Sequence, residues 1–168
     1  NIKYKISEQK DIHNIIQHNL KNSNLKKGNI FTYKSLNEER LRIEKILQNH
    51  GYYKFSKDLI YIQADSTQNK LVDIEFYFDK TNNDSTTYQK FKINQVFINL
   101  VKSKEKNDTL LYDGYYFIKS KNDDLKVKLN VISELIKINQ KSEYSEKNIE
   151  TTYRNLSNLR FFKKIRIE

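Results

Sequence analysis

Apolar residues recur along this chain with two periods, and the switches between them outline its elements. Ile2, Tyr4 and Ile6 alternate with Lys3 and Lys5, which predicts a short strand. Ile12, Ile15, Ile16 and Leu20 then fall on one helical stripe, so a helix capped by Asp11 is expected to run to about Leu20. Lys26-Lys27-Gly28-Asn29 reads as a turn. Thr32 or Ser35 opens the next helix, and Ser35 with Glu38 fits a capping box. Leu36, Ile43, Ile46 and Leu47 form its apolar stripe, with Glu38 and Glu39 placed favourably near the positive end of the dipole. That helix is expected to stop near His50 and Gly51. The period then drops to two. Leu59 to Ala64 reads as a strand, Asp65 to Asn69 as a turn, and Leu71 to Phe78 as a second strand with Val72, Ile74, Phe76 and Phe78 on its buried face.

Lys80 to Thr87 is polar and is the best linker in the chain. A strand region is expected from Tyr88 to Leu100, a charged turn over Lys102–Asp108, and a returning arm from Leu110 to Ile118. Leu125, Leu129, Ile132, Leu135 and Ile136 mark a helix reaching Ile138. Ser145 caps another to about Leu159, with Ile149, Tyr153, Leu156 and Leu159 inward. Phe162, Ile165 and Ile167 alternate as a strand does. The chain starts at Asn1, has no Met, and ends in mid-pattern at Lys164-Ile165-Arg166-Ile167-Glu168, so it is expected to be a piece of a longer protein.

A shift of 113 residues aligns the halves. Ile12 and Ile16 fall on Leu125 and Leu129, Leu25 on Ile138 and Phe31 on Tyr144. Thr32 falls on Ser145, Leu36 on Ile149, Ile43 on Leu156 and Ile46 on Leu159. The shared pattern is an apolar helix, a short turn, an aromatic, a hydroxyl cap, an amphipathic helix and a strand. The stretch Leu36-Asn37-Glu38-Glu39-Arg40-Leu41-Arg42-Ile43-Glu44-Lys45-Ile46-Leu47, with Gly51-Tyr52-Tyr53-Lys54-Phe55, resembles the second helix and exit turn of a polypeptide-transport-associated (POTRA) domain. Tyr144-Ser145 and Thr151-Thr152-Tyr153 through Ile167 resemble the same part of a following one. The combination is similar to the BamA/TamA family of outer-membrane assembly proteins, most of all to TamA-like lipoproteins of Bacteroidetes-type bacteria.

The resemblance implies an α+β fold of tandem POTRA-like β-α-α-β-β units, each a three-stranded mixed sheet with two helices on one face. Residues 1–80 would be one domain and 81–87 a linker. Residues 88–168 would be a second domain with an expanded first-strand hairpin and its last strand missing. The resemblance also implies a non-catalytic periplasmic module ahead of a membrane β-barrel, with no cofactor. Its partners would be unfolded outer-membrane protein segments and a periplasmic or inner-membrane assembly partner. An edge strand of such a sheet can accept an extended segment by β-augmentation. The family order makes Asp58, Leu59, Ile60, Tyr61, Ile62, Gln63 and Ala64 that edge, and the absence of Pro leaves each amide able to donate. Gly51, Tyr52 and Tyr53 are expected to close the helix and anchor the turn after it, and Tyr115-Tyr116-Phe117 to be packing or an interdomain contact.

Composition removes competing chemistry. The chain of 168 residues has no Cys, so disulfides, thiolate zinc sites and cysteine nucleophiles are excluded. The longest apolar runs, such as Leu59-Ile60-Tyr61-Ile62, are too short for a transmembrane helix or signal-peptide core. With 12 Tyr and 9 Phe it is too aromatic for a disordered chain. His13, His18 and His50 do not share a metal-binding face. Asp79, Asn83 and Asp84 fail the EF-hand pattern, since Asp84 replaces the sixth-position Gly and Lys90 the final Glu. Asp123-Asp124 suits a helix start. Three Gly cannot build a phosphate loop.

Charge supplies the main rival reading. The net charge of +10 would suit a basic nucleic-acid-binding protein. Yet residues 1–84 hold 14 Lys/Arg against 11 Asp/Glu, and residues 85–168 hold 17 against 10. Lys dominates Arg, whereas bidentate readout favours Arg. Joint enrichment in Lys, Asn, Ile and Tyr is what AT-rich codons produce, so no nucleic-acid partner is expected. Arg154, Arg160, Lys163, Lys164 and Arg166 form a basic cluster suited to anionic head groups. A small α+β enzyme is the remaining alternative, and no convergent catalytic site supports it.

Overall fold

The computed structural model describes residues 1–5, 9–30, 32–68, 71–79, 86–101, 107–120 and 127–168. The expectations for Ile6, Phe31, Asn69, Asn83, Asp84, residues 102–106, Asp123-Asp124 and Leu125 lie outside them. The chain divides into two compact units, Asn1–Lys90 and Phe91–Glu168.

In the first unit, β1 is Ile2–Lys5, α1 Lys10–His18 and α2 Tyr33–Gln48, followed by β2, Ile60–Gln68, and β3, Leu71–Phe78. The sheet order is β1-β3-β2, with β1 parallel and β2 antiparallel to β3. β3 takes the centre because its period-two apolar set can be covered along its length. Ile74 and Phe76 are buried there, with Val72 and Phe78 packed beside them. Ile12 and Ile16 of α1 and Leu36, Ile43 and Leu47 of α2 bury against that face, together with Tyr52, Phe55 and Ile60. Each fully buried Ile, Leu or Phe contributes about 1.5–3 kcal/mol over an exposed one.

Local corrections have simple causes. Gln9, not Asp11, is the α1 N-cap residue, and Asp11 sits in the first turn. Thr32 caps α2 by accepting the Ser35 N–H at 3.1 Å, and Ser35 Oγ accepts the Thr32 N–H at 2.9 Å. The reciprocal box is therefore Thr32 with Ser35 rather than Ser35 with Glu38. Asp58 and Leu59 lie in a 3-10 turn, Lys57–Leu59, ahead of the strand. β2 runs past the expected turn at Asp65 to Gln68, with a register irregularity between those two residues. The strand region expected from Tyr88 narrows to Phe97–Asn99, and Tyr88 instead meets Phe55 edge-on at 6.0 Å within the first unit.

In the second unit β4 is Phe97–Asn99, β5 Asn107–Tyr112 and β6 Tyr115–Ser120, before α3, Leu129–Leu135, and α4, Glu146–Asn158. The sheet order is β4-β6-β5, with β4 parallel and β5 antiparallel to β6. Leu110 to Ile118 is thus two strands, not one arm. Asp113 and Gly114 turn the chain with φ +50° and +79°. That pair of positive angles matches the right-handed twist of a two-residue hairpin, and Asp-Gly is among its strongest signals. Tyr115, Phe117, Ile132 and Ile136 form the core, joined at its rim by Ile98, Leu156 and Phe162. On α4, Thr152 is buried while Tyr153, expected inward, is 50% exposed. Thr152 Oγ1 accepts the Lys137 N–H at 2.8 Å, which gives the inward position to a hydroxyl. No strand forms over Phe162–Ile167 among the described residues.

Both units therefore have the POTRA-like plan of a three-stranded mixed sheet with two helices. In the second, a hairpin between the first strand and the first helix supplies the sheet's centre and one edge.

Candidate functional site

Polar side chains of α2 set the path of the chain into β2. Arg40, Glu44 and Gln48 recur every four residues and so share one stripe of the helix. Gln48 Nε2 donates to the Phe55 carbonyl at 3.0 Å. Glu44 Oε1 accepts the Lys57 N–H at 3.2 Å. Arg40 donates twice to the Lys57 carbonyl, at 3.1 and 2.9 Å, and reaches Asp58 Oδ1 at 3.5 Å. The irregular segment before the strand is thereby hydrogen-bonded to a rigid helix. Gly51, at φ +92°, ends α2, and the Tyr52 N–H donates back to the Leu47 carbonyl at 3.1 Å. Tyr52 is buried below Lys90, whose Nζ is 5.7 Å from the ring centroid, whereas Tyr53 is 54% exposed.

β2 is an edge: among the described residues it pairs only with β3. The Asp79 N–H donates to the Leu59 carbonyl at 2.8 Å, and the register places Tyr61 opposite Tyr77 and Gln63 opposite Glu75. Antiparallel ladders alternate, so Tyr61 and Gln63 direct their main-chain groups at β3. The carbonyls of Ile60, Ile62 and Ala64 and the N–H groups of Ile62 and Ala64 face the open side. The Ile60 N–H is already used, donating to the Lys57 carbonyl. Of the seven residues expected at the edge, five are on the strand. Three of those five, Ile60, Ile62 and Ala64, present main-chain groups outward.

The outer face of this sheet is charged. Glu75 lies between Lys5, at 2.7 Å, and Lys3, at 3.5 Å, and also accepts from Tyr77. The hydrogen bonds from Lys5 and then Tyr77 lower the Glu75 carboxyl from an ordinary 4.5 to about 2.

Beneath the opposite face is a buried polar cluster. Glu39 is 1% exposed. Arg42 holds it bidentately, at 2.9 and 2.5 Å, Tyr4 donates to it at 2.6 Å, and Ser23 at 3.0 Å. Arg42 Nη1 also donates to the Asn19 carbonyl at 3.0 Å. Burial pushes the Glu39 carboxyl up, but the bonds from Arg42, Tyr4 and Ser23 outweigh it and leave it below the usual carboxylate range. Burial, reinforced by the bond to Glu39, raises the Tyr4 hydroxyl. The cluster ties β1, the α1–α2 connection and α2 together. Its signal was available: Glu39 follows Leu36 by three residues, on the apolar stripe.

The second unit contrasts with the first. Phe97, Tyr116 and Leu111 are paired across β4, β6 and β5 on the face away from Phe117. Phe97 and Tyr116 stack at 5.1 Å, and Phe97 and Leu111 are 57% and 60% exposed. Tyr115 and Phe117 of the aromatic triplet are core, and Tyr116 joins this outer face. Arg154, Arg160, Lys163, Lys164 and Arg166 are all exposed, and Arg166 pairs with Glu168. Among the described residues no group of His, Asp and Glu could hold a metal ion, and no helix is long and apolar enough to cross a membrane.

No protein-family model and no curated protein matches the chain. Among solved structures it is similar to POTRA domains 3–5 of BamA from Haemophilus influenzae, with a TM-score of 0.52 at 10% identity. The match covers 98% of this chain and 51% of that one, so the chain spans about half the length of that structure. At such low identity the likeness shows the fold, and the fold is POTRA-like.

Proposed function

We propose that this chain is a non-catalytic, periplasmic polypeptide-handling module of a BamA/TamA-type assembly or translocation factor, of the TamA-like lipoprotein kind. Its β2 edge takes up extended segments of unfolded outer-membrane proteins by β-augmentation. What carries the reading is that edge, nine residues long from Ile60 to Gln68 and free of Pro, in a POTRA-like sheet. The outward groups of Ile60, Ile62 and Ala64 recur every second residue, the spacing at which another strand presents its own. Main-chain hydrogen bonds are blind to sequence, which suits a module serving many clients. Partner proteins would dock on the same unit, and a membrane β-barrel would follow in the parent protein.

The test is a titration of the full chain with an extended peptide of alternating apolar residues, followed by amide NMR. The Ile62 and Ala64 amides are expected to shift and to exchange more slowly once bound. Full protection of both amides in the free chain would overturn the reading. The parent gene beyond Glu168 is expected to encode strands of about ten residues with alternating hydrophobicity. A stop codon soon after would sink the assembly-factor part.

A further inference from the structure

The longest run of unbalanced charge in the first unit coincides with its most exposed apolar side chains. Between Asp11 and Glu38 the chain has no acidic residue, but it has Lys21, Lys26, Lys27 and Lys34. Ile30 is 94% exposed and Tyr33 82%, more than any other large apolar side chain among the described residues. Lys26, Lys27, Thr32 and Lys34 around them are exposed as well.

The residues flanking Ile30 and Tyr33 are tied to the unit. Leu25 packs against the core before it and Leu36 is buried after it. The Asn29 N–H closes the turn on the Lys26 carbonyl at 3.1 Å, with Gly28 at φ +88°. The Thr32–Ser35 box sets the start of α2. Lys34 has an acidic neighbour, Glu38, but at 4.0 Å and with both side chains exposed that pair is worth little.

We infer that Lys26, Lys27, Ile30, Tyr33 and Lys34 form a docking site for an anionic phospholipid surface. An exposed Ile and Tyr with three exposed lysines within a few residues of them in the chain match the headgroup layer, which takes apolar side chains at its acyl boundary and aromatic rings at its polar edge. Lysines beside anionic lipids each strengthen binding about fivefold. Two apolar residues and a few lysines give reversible, salt-sensitive attachment rather than an anchor. The site does not rest on the client-binding reading of β2.

The test uses the full chain and sedimenting vesicles, either pure phosphatidylcholine or about a quarter phosphatidylglycerol. Binding is expected only with phosphatidylglycerol and should weaken as salt rises above about 100 mM. Lys26→Gln, Lys27→Gln and Lys34→Gln together should lower the partition on the order of 100-fold. The pair Ile30→Ser and Tyr33→Ser should lower it with the charge unchanged. The chain has no Trp, so Tyr33→Trp installs a single reporter. Its emission should shift to the blue on phosphatidylglycerol vesicles, and that of Tyr153→Trp on α4 should not. Equal binding to both vesicle types, no binding, or full binding by the loop variants overturns the site. A blue shift at Tyr153→Trp in place of Tyr33→Trp would move the contact to the Arg154–Arg166 cluster and overturn it too.

Discussion

Glu39 shows how one side chain can be both a cost and a constraint. A carboxylate at 1% exposure is tolerated because Arg42, Tyr4 and Ser23 satisfy it. Glu39→Ala leaves Arg42 without its partner and should cost about 3–5 kcal/mol in urea unfolding. Glu39→Leu with Arg42→Met should recover most of that loss, because it removes both charges at once. Tyr4→Phe deletes one bond to a charged group and should cost about 1.5–3 kcal/mol. The acid limb follows from the same chemistry. Glu39 and Glu75 both have folded carboxyls below their ordinary values. Their contributions are present above the unfolded carboxylate range and are lost as pH falls through the folded values. For Glu75 that window runs from 4.5 down to about 2. Glu75→Gln should flatten the fall in melting temperature across it. Gly51→Ala places a side chain at φ +92° and should lower stability by about 1–2 kcal/mol.

At the scale of elements, the β2 edge and the stripe that leads into it make separate predictions. Ala64→Pro removes an outward N–H and leaves the ladder to β3 whole. Peptide affinity should fall by up to roughly tenfold while thermal stability changes little. Gln63→Pro removes a bond to β3 and should destabilise the sheet itself, which calorimetry would register. Equal effects of the two substitutions on stability would contradict the alternation deduced from the Leu59–Asp79 bond. Arg40→Ala removes two bonds to the Lys57 carbonyl, so exchange in the approach to β2 should quicken before that of Phe76 does.

At the scale of the whole molecule, the described residues form two cores of unequal size. The first gathers Ile12, Ile16, Ile43, Leu47, Phe55 and Phe76, among others, and the second rests on Tyr115, Phe117, Ile132 and Ile136. The second unit should therefore lose amide protection at lower urea than the first, with Phe117 exchanging before Phe76. Coincident loss in both units would show one cooperative structure. The tandem plan was legible because apolar stripes and hydroxyl caps are local signals, repeated 113 residues apart. The Asp113-Gly114 turn was legible too, since Asp-Gly is a strong hairpin signal.

Periodicity and caps by themselves determined that two helices lie between short strands in the first unit, that α2 opens at Thr32 or Ser35 and ends near Gly51, and that Ile74 and Phe76 face a core. These depend on neighbours within a few residues, which a linear pattern contains. Tertiary structure alone decided which groups satisfy Glu39, because its partners Tyr4 and Ser23 lie 35 and 16 residues away. It also decided which amides of β2 face outward, since that depends on register with β3. Exposure at Ile30 and Tyr33 was settled the same way, because an apolar residue reads alike in sequence whether the fold covers it or leaves it in water.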